Sequence, residues 1–304
     1  MEKYLAFDVG GTDVKYAIVL KDGKILEKGK FTSPKYSFEA LIKQMGVTCL
    51  ELQKKHDVVG IALSVPGAPD DKTGIILGGS ALPFIHGPDV RAALLEETGL
   101  EMHMENDAKS AALGEVWLGA AKDVDDAVFL VIGTGLGGAL VKNKKVHHGI
   151  NLLSGEFGYI IIGYDFAKEE FKMMADHAST GCIVRDVAIS RGVDPAVLDG
   201  KEIFAAAEAG DPDCFAAIEA FYESLAVCVY NLMYIYNPEC IILGGAISAR
   251  EDLGDKIEEK LAIIKKNVDM DILEVKPDIV RCQFGGDANL LGAVYNYIQR
   301  EEAY

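Results

Sequence analysis

Short apolar runs closed by glycine, asparagine or proline dominate the chain, and one arrangement of them occurs twice. Tyr4-Leu-Ala-Phe-Asp8-Val-Gly-Gly-Thr12 followed by Val14–Val19 predicts strand, glycine turn, strand, with another turn at Asp22-Gly23. A helix is expected from about Ser37 to Lys55, then a buried strand over Val58–Leu63 that breaks at Pro66-Gly67. The next helix starts near Asp89 and stops at Gly99. A strand over Glu101–Glu105 leads into Asn106-Asp107 and a helix through Trp117. The opening design then returns: Ala127–Ile132 reads as a strand, Gly133-Thr-Gly-Leu-Gly-Gly138 as a glycine turn, and Ala139-Leu-Val141 as a strand with a hairpin turn at Asn143-Lys144. After a mixed region, Asp211-Pro212 opens a long helix that ends before Asn237-Pro238. The strand Cys240–Leu243 runs into Gly244-Gly245, and a helix from about Ala288 to Arg300 closes the pattern. Two strand–glycine turn–strand openings imply a duplicated α/β architecture of two similar lobes with a cleft between them.

Composition narrows the function classes. Half of the 304 residues are apolar, enough for a large core and more than one usual domain. The net charge of −17 argues against nucleic acid and anionic membrane as partners. The most apolar late stretch, Leu225–Leu243, is interrupted by Asn231, Asn237, Pro238 and Glu239 and reads as a buried helix plus a strand, not a membrane span. With only Met1 to Tyr4 ahead of the first strand and six scattered cysteines without a CxxC pair, a reduced, cytoplasmic protein is expected.

Glycine turns between apolar strands let backbone N–H groups approach phosphate oxygens unobstructed. Either loop alone is as readily a plain hairpin; two of them opening two lobes favour a bound polyphosphate. Gly133, Gly135 and Gly138 also fit GxGxxG, but that dinucleotide fingerprint requires an immediate helix. Here Ala139–Val146 continues as a hairpin, which argues against NAD. No GxxxxGK[ST], GxSxG or HExxH occurs, which removes P-loop enzymes and two common hydrolase classes.

Taken together, Asp8-Val-Gly-Gly-Thr12, Pro66-Gly67, Asn106-Asp107-Ala108, Gly133–Gly138, Gly155-Glu-Phe-Gly158, Gly244-Gly245 and Leu291-Gly-Ala293 resemble the ROK family (repressors, uncharacterised reading frames and sugar kinases) in order and across almost the whole chain. The resemblance implies an actin-like, ribonuclease-H-like ATPase fold. It implies a sugar/phosphate lobe over 1–117 plus 290–304 and a nucleotide-binding lobe over 118–289. It implies ATP and Mg²⁺, a small-molecule sugar and, by analogy, a homodimer. Asp107, which its position alone would make a helix cap, matches the catalytic base, and Asn106 a sugar ligand. Gly67, Glu156 and the Tyr159 position belong to the sugar site. Asp8, alternatively a turn cap, matches the Mg²⁺ carboxylate, often through water. Gly10, Gly11, Thr12, Gly133, Thr134, Gly135 and Gly137 would hold phosphates, and Gly244 and Gly245 would lie under adenosine.

The chain departs from the family's pattern at informative places. Many members continue Gly-Glu-x-Gly-His, whereas this chain has Tyr159. The family's cysteine-rich zinc loop is here Ala175–Val184, where only Cys182 remains clearly, His177 stands where a cysteine would, and Val184 replaces a second sugar-binding glutamate. No structural zinc is therefore expected. The combination is similar to the β-glucoside kinase branch, which implies phosphorylation of the 6-hydroxyl of a hexose or of a β-glucoside such as cellobiose. Glucokinase, fructokinase and N-acetylmannosamine kinase are the alternatives within kinases. The alternative of another class is a sugar-sensing ROK regulator without turnover, against which the intact Asn106-Asp107 pair argues.

Overall fold

The computed structural model describes residues 1–268 and 277–302. In chain order it contains β1 (Lys3–Val9), β2 (Asp13–Leu20), β3 (Ile25–Thr32), α1 (Phe38–Gln53), β4 (Val58–Val65), β5 (Ala68–Asp70), β6 (Ile75–Leu77), α2 (Val90–Thr98), β7 (Met102–Asn106) and α3 (Asp107–Leu118). There follow β8 (Ala127–Ile132), β9 (Leu136–Lys142), β10 (Lys145–Val146), β11 (Ile161–Asp165), β12 (Glu170–Met173), α4 (Thr180–Arg191), α5 (Gly200–Glu208) and α6 (Pro212–Ile235). The last elements are β13 (Cys240–Gly244), α7 (Leu253–Val268), β14 (Asp278–Arg281) and α8 (Ala288–Glu301). Helix starts follow the expected capping chemistry: Ser37, Asp89 and Asp211 each accept a backbone N–H of the first turn with their side chains.

Two five-stranded sheets have the orders β3-β2-β1-β4-β7 and β10-β9-β8-β13-β14. Rank by rank these are one topology written twice, the duplication that the two glycine openings imply. In the first sheet β1, β4 and β7 run parallel while β2 and β3 form an antiparallel meander. In the second, β8, β13 and β14 run parallel. The second glycine segment differs from its sequence reading. Its turn is confined to 133–135, and Gly137 and Gly138 already lie inside β9.

The chain packs as two compact units, one built from Met1–Asp123, Val141–Ser154 and Gly286 onward, the other from Val124–Leu140 and Gly155–Gly285. In the first unit Leu5, Phe7, Ile18, Ile61, Leu63 and Met104 of the sheet bury against Leu41, Met45 and Cys49 of α1 and Leu94 of α2. On the sheet's other side α8 meets α3 at glycines. A Cβ at Gly292 would collide with the Ser110 carbonyl, and one at Gly114 would stand 2.5 Å from the Ala288 carbonyl. Trp117 and Tyr295 stack alongside, ring centroids 5.1 Å apart. The Leu291-Gly-Ala293 motif is thus where two helix backbones touch. In the second unit α6 is long and apolar enough to cross a membrane, but Cys214, Ala217, Phe221, Leu225, Cys228 and Val229 bury one face in the core with Val128, Leu130 and Ile241.

Candidate active site

In the first unit the expected site residues gather at the C-terminal ends of β1, β4 and β7, neighbouring parallel strands and a usual ligand position in open α/β sheets. Strand register sets them in ranks. Lys15 pairs with Asp8, Asp8 with Ser64, and Ser64 with Glu105, so a single rank of four strands carries all four side chains.

Asp8 lies within β1, 9 % exposed, and among the described residues its carboxylate caps no turn amide. Its Oδ1 accepts from Ser64 Oγ at 2.9 Å and from Asn289 Nδ2 at 3.0 Å, while Oδ2 faces Lys15 Nζ at 3.6 Å. A single oriented carboxylate of this kind fits Mg²⁺, a hard ion that keeps several waters and takes one or two carboxylates plus phosphate oxygens. The turn after Asp8 closes with Gly10 N–H donating to the Asp13 carbonyl at 3.1 Å, and Ser33 Oγ donates to the Gly10 carbonyl. Gly11 and Thr12 are exposed, and a Cβ at Gly11 would stand 3.0 Å from Ala81 Cβ.

Asn106 and Asp107 divide the tasks their positions suggest. The cap of α3 is Asn106, not Asp107: Asn106 Oδ1 accepts the Lys109 N–H at 3.1 Å. Asn106 Nδ2 donates to the Gly67 carbonyl at 2.9 Å, which leaves its second N–H for a ligand hydroxyl. Gly67 has φ 92°, and a Cβ there would stand 2.8 Å from the Leu77 carbonyl, so this bend admits only glycine. Asp107 is the first helical residue, half-buried, with Oδ1 accepting the Ala108 N–H at 2.8 Å.

The second unit brings Gly133–Gly135 and Gly244-Gly245 side by side, because β8 and β13 are parallel neighbours with Gly244 opposite Val131. The glycines of this region fall into two groups. A Cβ at Gly245 would collide with the Ile132 carbonyl, one at Gly244 would stand 2.6 Å from the Phe129 ring, and one at Gly138 would collide with the Phe129 carbonyl. Packing requires those three. At Gly135 and Gly137 nothing lies within 4 Å of a Cβ, and neither φ is in the left-handed region. The fold does not need glycine there, and the backbone is left open to a ligand. The N-terminus of α4 also meets this turn: Thr180 N–H donates to the Gly133 carbonyl at 2.8 Å, and a Cβ at Gly181 would collide with the Thr134 carbonyl. A helix N-terminus beside a glycine turn offers further N–H donors to an anion, an element the sequence reading left in its mixed region.

Residues 155–158 are laid on β9 by their glycines. A Cβ at Gly155 would stand 2.7 Å from the Gly138 carbonyl, one at Gly158 would collide with the Leu136 carbonyl, and Phe157 is buried between them. Glu156 is held between these anchors, half-buried, and its carboxylate makes no hydrogen bond among the described residues. Tyr159 is 75 % exposed. Val184 packs against the core from α4. Cys182 donates from Sγ to the Ser179 and His177 carbonyls, and burial pushes its thiol up to about 11. Burial, with Arg185 nearby, lowers His177 below its ordinary value. Among the described residues no three of His, Cys, Asp and Glu converge as a metal site.

Lys15, Ser64 and Asn289 are the site residues that motif reading passed over. Only strand register and the packing of α8 bring them to Asp8, and no local pattern marks them.

The profile of the ROK family matches residues 4–300. The beta-glucoside kinase of Listeria innocua is 33 % identical over 303 residues, 99 % of this chain and 99 % of that protein. The glucokinase of Halalkalibacterium halodurans is 30 % identical over 276 residues, 82 % of each chain. A ROK family protein from Streptococcus pneumoniae TIGR4, solved in complex with sucrose, superposes with a TM-score of 0.88 at 35 % identity, covering 99 % of this chain and 100 % of the other.

Proposed function

The chain belongs to the ROK family, and on that premise we propose that it is an ATP-dependent kinase of the 6-hydroxyl of β-glucosides such as cellobiose. The actin-like ATPase fold of the family's sugar kinases is present in both of its sheets. Sugar kinase activity follows from the close relatives named above. The observation that carries the reading is the gathering of Asp8, Gly67, Asn106 and Asp107 at three adjacent strand ends.

In the proposed reaction Asp107 accepts the proton of the sugar O6–H as O6 bonds to the γ-phosphorus of ATP and the bond to the ADP oxygen breaks. The products are ADP and the sugar 6-phosphate. A positioned base of this kind contributes about 10²–10⁴-fold, and orientation and electrostatics supply most of the rest. Asn106 gives its remaining N–H, and Glu156 its unengaged carboxylate, to sugar hydroxyls. Gly10, Gly11 and Thr12 offer backbone and hydroxyl donors to a phosphate, and Gly133, Thr134, Gly135 and Gly137 offer donors of the same kind. Gly244 and Gly245, glycines that packing requires, would lie under adenosine. Asp8 would hold Mg²⁺ directly or through water, and the ion would supply neutralisation of phosphate charge. Lys15 and Asn289 fix the carboxylate's orientation.

The β-glucoside assignment is supported by the Listeria innocua relative and by Tyr159 and Val184. A histidine and a glutamate at those positions would favour a free anomeric hydroxyl. An exposed tyrosine face and an apolar side chain favour a substituted one. By family analogy the enzyme works as a cytoplasmic homodimer, and its −17 charge supports a small-molecule partner over nucleic acid or membrane.

The test is ADP release measured over glucose, fructose, N-acetylmannosamine, cellobiose, gentiobiose and an aryl β-glucoside in one condition. The proposal expects the highest kcat/KM among the β-glucosides, and Asp107→Asn to lower kcat by about 10²-fold or more with modest change in sugar affinity. A clear win for a free hexose removes the β-glucoside assignment. No turnover with any sugar favours the regulator reading. Near-normal turnover in Asp107→Asn removes Asp107 as the base.

A further inference from the structure

Glu105 immediately precedes Asn106-Asp107, and only 1 % of it is exposed. Its Oε1 accepts the Asn106 N–H at 2.9 Å. Its Oε2 lies 2.7 Å from His148 Nε2 and 3.9 Å from an Arg300 guanidinium nitrogen on α8. A buried carboxylate persists only where such partners compensate for lost hydration. One of them, His148, belongs to the segment 147–153 that follows β10. The same segment is held a second time. Lys109, 2 % exposed, donates from Nζ to the Leu152 carbonyl at 2.7 Å, and Leu152 sits at φ 63°, a left-handed conformation that a leucine adopts only under constraint. Between the two anchors Ile150 is 98 % exposed, and Leu153, directly after the second, 60 %, so apolar burial of these residues does not hold the segment.

The anchors flank the functional pair: Glu105 lies directly before Asn106, and Lys109 two residues after Asp107. The Glu105 carboxylate also fixes the Asn106 backbone N–H, and hence the start of the helix on which Asp107 rides. We propose that Glu105, His148 and Lys109 are positioning residues of the phosphotransfer site, clamping residues 147–153 against 105–109 and so fixing the pose of Asn106 and Asp107. The proposal rests on the assignment of Asn106 as sugar ligand and Asp107 as base.

The clamp predicts a loss on the sugar side alone. His148 is the nearest partner of a buried carboxylate, so His148→Ala should also lower thermal stability somewhat. His148→Ala should lower kcat/KM for the preferred sugar by about tenfold, the worth of one hydrogen bond to a charged group, while KM for ATP stays unchanged. His148→Gln, which restores an N–H donor of similar reach, should recover most of the loss. The double variant Glu105→Gln/His148→Ala should be no worse than the more impaired single variant, because both break one link. Sugar affinity measured calorimetrically without ATP should fall in His148→Ala as well, a readout that holds whether or not turnover is efficient. Wild-type sugar kinetics and affinity in His148→Ala, an equal loss on the ATP side, or additive effects in the double variant would overturn the clamp. Absence of sugar-dependent ADP release in the wild type, with sugar binding still weakened by His148→Ala, would instead overturn the kinase reading and leave the clamp standing.

Discussion

At Gly135 an added methyl group meets no atom within 4 Å, and the backbone is outside the left-handed region. Gly135→Ala should therefore fold normally. Loss of unfolded-chain freedom alone would add about 0.4–1 kcal/mol of stability. A nucleotide phosphate resting on this turn experiences the same methyl differently. A Cβ on the ligand face holds the phosphate off the backbone and removes one charge-assisted N–H···O contact, worth roughly 1.5–3 kcal/mol. At about 1.4 kcal/mol per factor of ten, that is a 10- to 150-fold loss in kcat/KM for ATP. Gly138→Ala, three residues on, is the control. Its Cβ collides with the Phe129 carbonyl and stands 2.6 Å from the Phe157 ring, so it should lower the melting temperature. The assay is ADP release with ATP varied at saturating sugar, beside thermal unfolding of both variants. Wild-type ATP dependence in Gly135→Ala, or a melting point lowered as far as in Gly138→Ala, would refute the division of these glycines into ligand-facing and packing groups.

Gly292→Ala should destabilise by about 1–3 kcal/mol or more, because its Cβ meets the Ser110 backbone, which cannot rotate away; denaturant unfolding reads this. Asp71 is buried, which alone would raise its pKa, but His103, Arg300 and the Met104 N–H outweigh that and hold it below the usual carboxylate range. A depressed folded-state value stabilises the protein above the unfolded pKa of about 3.9, and that contribution is lost as pH falls through the folded value. Asp71→Asn should therefore flatten the acid end of the stability–pH curve, and a curve parallel to wild type would contradict the assignment. Activity should survive exhaustive treatment with a zinc-selective chelator in the presence of added Mg²⁺, since Cys182 is a buried, hydrogen-bonding thiol; elemental analysis showing one tightly held zinc per chain would contradict this.

Short-range chemistry was legible in the chain by itself. Caps at Ser37, Asp89 and Asp211, the stop at Gly99 and the two strand–glycine turn–strand openings involve residues within a few positions of one another, so the amino-acid order determines them. The duplicated topology followed from the repeated pattern, and the motif residues identified the family. What the order of residues left open was decided by partners far along the chain. Asp8 is oriented by Ser64, 56 positions away, and by Asn289, 281 positions away, through strand register and the seating of α8. Asn106 rather than Asp107 caps α3 because its side chain, pinned by the Gly67 carbonyl, is the one that reaches the Lys109 N–H. The hairpin β11–β12 and helices α4 and α5 lacked strong local signals and appear only once Met174, Cys182, Ile183 and Ile203 are buried in the second unit's core. The glycines make the distinction most plainly. Sequence marks Gly135, Gly138, Gly245 and Gly292 alike, and only the atoms that a Cβ would meet separate the backbone kept bare for a ligand from the backbone pressed against its neighbours.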